Sequence, residues 1–246
     1  MRGTLPSRLT ASRQVRPART VPAQIGVTAL GGVALITAAG TVLSGNGPGW
    51  LAATLAWLLV CLAVADRMRR GYPHHRIGGC NVVTLLRAAL ACALLMPLVA
   101  GHAAGWVVAA VAGIGLILDG ADGYLARQSG LVSRFGARFD IEVDAALALI
   151  LSLHVIAGTA VGAEILVLGF IRYAFVLAGL AWPWLRADLP DRRWRKAICV
   201  VQIATLILLQ VPWVGRDHAI ILARLAALLL IGSFAADVRW LWLHRR

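Results

Sequence analysis

Charged residues are scarce in this chain. Only 14% of its 246 residues are Asp, Glu, Lys or Arg, whereas 60% are hydrophobic, and the mean hydropathy is +0.79. These values exclude a soluble globular domain of this length. They predict an all-α fold, a polytopic transmembrane helical bundle.

Cysteine and histidine are also few, and neither shows a pattern typical of a site. The six histidines form no triad or metal-ligand spacing, and the four cysteines fall in or beside apolar stretches. We therefore predict ordinary apolar packing for the cysteines, which are Cys61, Cys80, Cys92 and Cys199.

Long apolar stretches recur along the chain. A transmembrane helix needs roughly 20 mostly apolar residues, and about eight stretches qualify: 24–44, 49–65, 81–100, 104–126, 139–161, 164–185, 197–214 and 219–243. The first could instead be a secretory signal, but its length and the lack of a clean cleavage site favour a retained helix. A long polar interruption follows the second stretch. We predict a basic N-terminal segment, a two-helix leader, a linker and a six-helix core, at residues 1–23, 24–66, 67–80 and 81–246.

Basic residues outnumber acidic ones and are unevenly placed. The net charge is +13, and 20 of the 24 basic residues lie in residues 1–23, 67–76, 127–138, 186–196 and 239–246. These segments alternate with loops that are nearly free of basic residues, so the positive-inside rule predicts that they face the cytoplasm. A bacterial inner membrane is the expected location. Anionic lipid headgroups, rather than nucleic acid, are the expected partners of this charge.

Four aspartates stand out in one short segment, DGADGYLARQSGLVSRFGARFDIEVD, residues 119–144. The first two are three residues apart and the last two are four apart, so each pair lies on one face of its own helix. Carboxylates at membrane depth are costly and usually functional. With no His or Cys in the segment, they predict hard divalent cations such as Mg²⁺ or Mn²⁺. Two such ions would neutralise the four charges of Asp119, Asp122, Asp140 and Asp144.

Small residues and an arginine lie between these acids. Gly120, Gly123, Ala126 and Gly136 would let a ligand approach the helix backbones closely, and Arg127 adds a cation. Together with the carboxylates, these residues favour a bound phosphate or diphosphate and two-metal chemistry.

The whole segment resembles the signature of the CDP-alcohol phosphotransferases at every fixed position. That signature reads, in this sequence, Asp119-x2-Asp122-Gly123-x2-Ala126-Arg127-x8-Gly136-x3-Asp140-x3-Asp144. The resemblance implies a six-helix bundle whose signature spans the end of the second core helix and the start of the third. It also implies that a phosphatidyl group moves from a CDP-linked donor, most often CDP-diacylglycerol, to an alcohol, with release of CMP.

The resemblance further implies roles for individual residues. Asp119, Asp122 and Asp140 are the main metal ligands, and Asp144, a further ligand, is the base that accepts the hydroxyl proton. A homodimer is also expected. The residues expected to bind the donor are Gly123, Ala126, Arg127, Gly136, Asn81 and Thr84.

The span before the signature opens with NVVTLLRAAL, which is similar to the opening of the first core helix in many relatives. Asn81, Thr84 and Arg87 are three residues apart, so they share a face that can look into the site. The alternative is a helix cap followed by a snorkelling arginine.

Arg172 and Glu142 are further charged residues within predicted spans. Arg172 is too deep in an apolar span to be incidental, and we expect it to bind the phosphate of an acceptor or of the nucleotide. Its alternative role is an ion pair with one of the four aspartates. Glu142 points away from the catalytic face, and we expect it to pair with Arg138 one turn earlier.

The acceptor and the direction of transfer stay open at this point. Relatives that use glycerol phosphate often have Pro and Lys after the third and fourth aspartates, but this chain has Ile141 and Ala145. Transfer of a headgroup phosphate from a CDP-alcohol to a lipid is the main alternative. A membrane prenyltransferase and a non-catalytic cation-binding protein are the others.

Overall fold

The computed structural model describes residues 20–43, 47–72, 74, 76–102, 104–129, 133–190 and 192–245; the side chains of residues 20–22, 71, 121–129, 134 and 193 lie outside that description. The described residues form nine α-helices and two short 3-10 helices, at Ala163–Ile165 and Pro183–Arg186, and contain no strand. The prediction of an all-α fold is therefore confirmed. The helices are α1 (Thr20–Val42), α2 (Pro48–Gly71), α3 (Gly79–Ala93), α4 (Leu95–Val99), α5 (Trp106–Ser129), α6 (Arg134–Gly158), α7 (Leu166–Ala181), α8 (Arg193–Leu208) and α9 (Arg216–Leu243).

Six of the eight predicted spans are helices long and apolar enough to cross a membrane. They are Ala23–Val42, Pro48–Arg70, Gly79–Val99, Phe135–Gly158, Ala163–Ala181 and Arg216–Leu243. Of the other two, α5 has 24 residues but its side chains are described only as far as Gly120, and α8 has only 16 residues. Large apolar side chains such as Leu51, Leu55 and Leu62 on α2 are exposed, as expected of a surface that faces lipid.

The predicted span at 81–100 is interrupted at Leu94, which separates α3 from α4. Pro97 follows three residues later and has no N–H to donate to the carbonyl of Ala93, so one bond of a continuous helix is lost. The Leu94 carbonyl accepts a hydrogen bond from His154 Nε2 at 2.7 Å. This buried bond fastens the interruption to α6.

The leader packs directly on the first core helix. Both α1 and α2 contact α3, and Trp57 on α2 donates a hydrogen bond to the Ala29 carbonyl on α1 at 2.9 Å. Gln24 on α1 accepts a hydrogen bond from the backbone N–H of Ile77 at 2.9 Å, which secures the residues just before α3. The leader and the core thus share one hydrophobic interior. The predicted boundary between them stays a prediction.

The helices that carry the signature both pack on α3. α5 and α6 each contact it; α5 ends at Ser129 and α6 begins at Arg134. Ser133 caps α6, since its Oγ accepts a hydrogen bond from the Gly136 N–H at 3.0 Å. This cap satisfies a donor of the first turn that has no partner within the helix.

Candidate active site

Three of the four signature aspartates converge between α5 and α6. Asp119 lies on α5, and Asp140 and Asp144 lie one turn apart near the start of α6. One carboxylate oxygen from each lies within 4.8 Å of the others. The structure therefore brings together the carboxylates that the sequence placed on two separate helix faces.

The remaining signature residues of α5 lie only partly within the description. The backbone of Asp122, Gly123, Ala126 and Arg127 is helical. Their side chains are outside the described residues, so the expected roles of Asp122 in metal binding and of Gly123, Ala126 and Arg127 in donor binding stay predictions.

Arg87 of α3 lies against all three described carboxylates. Its Nη1 is 2.8 Å from an oxygen of Asp119 and 2.5 Å from an oxygen of Asp140, and its Nη2 donates to Asp144. The Arg87 side chain is only 2% exposed. One buried guanidinium thus links two helices of the signature to the first core helix, and it offsets part of their negative charge.

Asn81 and Thr84 lie on the same face of α3 and are buried. Asn81 Nδ2 donates a hydrogen bond to the hydroxyl of Tyr72 at 2.9 Å, and Thr84 donates to the Cys80 carbonyl at 2.9 Å. Burial raises the pKa of Tyr72, so its hydroxyl stays protonated at neutral pH. Asn81, Thr84 and Arg87 thus share one face of α3, as expected, and the hydrogen bond to Tyr72 positions the Asn81 side chain.

Gly136 of α6 lies against Asn81 of α3. A Cβ atom built on Gly136 would be 2.6 Å from Asn81 Oδ1 and 3.3 Å from Ser133 Oγ. The sequence predicted that this glycine makes room for a ligand. In the structure its missing side chain makes room for Asn81.

The chemistry of this donor set fits a divalent cation. The described cluster of three groups contains carboxylates alone, and its ligand atoms are close enough to share one ion. Oxygen ligands without nitrogen or sulfur are the set that Mg²⁺ and Mn²⁺ prefer.

The family model described as CDP-alcohol phosphatidyltransferase matches residues 79–236, from the start of α3 into α9. The chain belongs to the CDP-alcohol phosphatidyltransferase family. No curated protein and no solved structure gives a significant match. The family and the apolar helices together make this chain an integral membrane transferase of phospholipid biosynthesis.

Arg172 of this transferase pairs with Glu142. Its Nη2 is 2.5 Å from Glu142 Oε1, and this ion pair joins α7 to α6. The predicted pair of Glu142 with Arg138 is therefore wrong, and so is the alternative that Arg172 pairs with a signature aspartate. Glu142 follows Asp140 by two residues, so its side chain points to α7 and away from the aspartates. There it neutralises Arg172, which lies in an apolar span. Arg138 is exposed and needs no such partner.

The transferase also contains an ion pair that the sequence did not indicate. Arg195 at the start of α8 lies 3.3 Å from Asp237 of α9, and it donates to the Pro190 carbonyl at 3.0 Å. Asp237 is 5% exposed. Asp237 is an acid within an otherwise apolar stretch of the sequence, and a buried carboxylate needs a partner. Its position could therefore have indicated an ion pair. One arginine of the basic segment 186–196 thus has a structural partner.

Proposed function

We propose that this transferase moves a phosphatidyl group from CDP-diacylglycerol to a small alcohol and releases CMP. The observation that carries the proposal is the convergence of Asp119, Asp140 and Asp144 at one end of a bundle of apolar helices. A lipid donor suits this arrangement, since its acyl chains can stay in the bilayer while its diphosphate reaches the carboxylates.

The signature carboxylates are the proposed ligands of two divalent cations, Mg²⁺ or Mn²⁺. Asp119, Asp122 and Asp140 would be the main ligands, with Asp144 adjacent. When bound, such cations neutralise the charge of a diphosphate and stabilise the leaving phosphate.

Asp144 is the proposed base. The acceptor hydroxyl oxygen forms a bond to the β-phosphorus while the bond from that phosphorus to the bridging oxygen breaks, and the bridging oxygen leaves with CMP. Asp144 accepts the hydroxyl proton. Its position one turn after Asp140, on the same face of α6, supports this role.

We further propose that Gly123, Ala126, Arg127, Gly136, Asn81 and Thr84 surround the donor. Arg172 is the proposed contact for the acceptor. Its side chain is 31% exposed, and its buried Nε has no partner among the described residues, so the pair with Glu142 leaves hydrogen-bonding capacity unused. A cation with spare hydrogen-bonding capacity favours a phosphorylated alcohol.

The proposed setting is a bacterial inner membrane with the site facing the cytoplasm, and a homodimer. The orientation rests on the distribution of basic residues, which flank the ends of α5 and α6 that carry the signature.

The deciding experiment incubates purified protein and Mg²⁺ with CDP-diacylglycerol and a panel of alcohols, and measures CMP and the lipid product. The proposal expects CMP together with one new phospholipid. Asp119→Asn should abolish this release, whereas Asp66→Asn, in an exposed pair with Arg70, should not change it. CMP formed only from a CDP-alcohol and a lipid acceptor would support headgroup transfer instead. Pyrophosphate released from a prenyl diphosphate would refute both.

A further inference from the structure

Arg87 contacts an oxygen of each of Asp119, Asp140 and Asp144, which are proposed cation ligands. We propose that Arg87 is an internal counter-ion, which divalent cations must displace from the signature carboxylates when they bind. The inference rests on the cation binding proposed above, and it adds a residue outside the signature to the control of that binding.

The hydrogen bonds of Arg87 use the atoms that a cation needs. Its Nη1 bridges an oxygen of Asp119 and an oxygen of Asp140, at 2.8 and 2.5 Å, and its Nη2 takes an oxygen of Asp144. Mg²⁺ binds carboxylate oxygens at roughly 2.0–2.1 Å and demands near-ideal octahedral geometry. An N–H group between two of the ligands occupies one side of each oxygen, and its positive charge repels the incoming ion.

The surroundings of Arg87 make this competition strong. Its side chain is 2% exposed, and the adjacent Leu85 and Ala88 of α3 are buried in the core. Water therefore screens the guanidinium charge poorly. The three carboxylates are 25–35% exposed, and without a counter-ion they would repel one another. Arg87 relieves that repulsion when cations are scarce. Cation binding then replaces one positive charge by another rather than adding charge to a bare acidic cluster.

Binding of Mn²⁺ to purified protein, followed by electron paramagnetic resonance of the free ion, tests this directly. Arg87→Gln keeps a polar side chain but removes the charge, and it should bind Mn²⁺ about tenfold more tightly than the wild type. Arg87→Lys keeps the charge but lacks the planar guanidinium that contacts several carboxylates at once. Its affinity for Mn²⁺ should lie between those of Arg87→Gln and the wild type. Arg224→Gln is the control, because Arg224 pairs with Glu164 at 3.5 Å and contacts no signature residue among those described. Its affinity should match the wild type.

Thermal unfolding gives a second measurement on the same proteins. Without Mn²⁺, Arg87→Gln should unfold at a lower temperature than the wild type, because the carboxylates lose their counter-ion. Saturating Mn²⁺ should raise its midpoint by more than it raises that of the wild type. If the variant is too unstable to purify without the ion, purification in Mn²⁺ followed by stepwise removal still yields the dissociation constant.

The outcomes separate this inference from the proposed function. Equal or weaker Mn²⁺ binding by Arg87→Gln, with normal binding by the wild type, would overturn the role of Arg87 and leave the cation site standing. No Mn²⁺ binding by any variant would overturn both.

Discussion

Replacing Gly136 by alanine tests how tightly α6 packs against Asn81 of α3 in the candidate site. The new Cβ would lie 2.6 Å from Asn81 Oδ1, whereas ordinary van der Waals contact begins at 3.4 Å, so one of the two must move by about 0.8 Å. Asn81 cannot yield easily, because it is 1% exposed and is bonded to Tyr72. The contact also links the signature helix α6 to α3.

The expected cost follows from these terms. Overpacking a close contact costs about 1–3 kcal/mol, and weakening the bond between Asn81 and Tyr72 adds about 0.5–1.5 kcal/mol. Alanine has a higher helix propensity than glycine, which stabilises the variant by about 1 kcal/mol. The net loss of stability is therefore about 0.5–3.5 kcal/mol, which lowers the midpoint of thermal unfolding by roughly 1–14 °C for a chain of this size.

The cysteines of the chain provide the assay. Cys61 and Cys92 are free and buried, so a thiol-reactive fluorescent dye reports unfolding in detergent. Gly113→Ala on α5 is the matched control, since a Cβ there meets nothing within 4 Å, and it should leave the midpoint unchanged or raise it. Combining Gly136→Ala with Asn81→Ala removes the Oδ1 atom that the new Cβ would meet, so the double variant should lose less stability than the sum of the singles. A wild-type midpoint for Gly136→Ala, or strictly additive losses, would refute the reasoning.

Three further predictions concern residues around the site. Asp144→Asn should lower the rate of CMP release by about 10²–10⁴-fold; retained turnover would remove its role as base. Tyr72→Phe leaves the Asn81 amide without its acceptor, so stability should fall by about 0.5–1.5 kcal/mol and KM for the donor should rise more than kcat falls; an unchanged KM would limit Tyr72 to a structural role. Arg172→Met should lower the unfolding midpoint by leaving Glu142 unpaired, and adding Glu142→Gln should restore it. If Arg172 also binds the acceptor, KM for the acceptor stays high in that double variant, whereas a normal KM would refute the binding role.

Local chemistry made much of the fold predictable. Apolar stretches predicted the helices, and the interruption at Leu94 was missed because one proline does not reveal on which turn a helix breaks. The shortness of α8 was missed because the apolar run in the sequence continues past Leu208, where the helix ends. The pairing of Glu142 with Arg172 was missed for a different reason, since it joins residues 30 apart on two helices.

The sequence by itself determined that the chain is a bundle of membrane helices and that the signature carboxylates occupy one face of each of two helices, because hydropathy and helical periodicity act within a single segment. Only the tertiary structure decided what those faces meet. It placed Arg87 among Asp119, Asp140 and Asp144 and packed Asn81 against Gly136. Helical periodicity predicts on which face of its own helix a side chain lies. The residue that it meets there depends on how helices far apart in the sequence pack together.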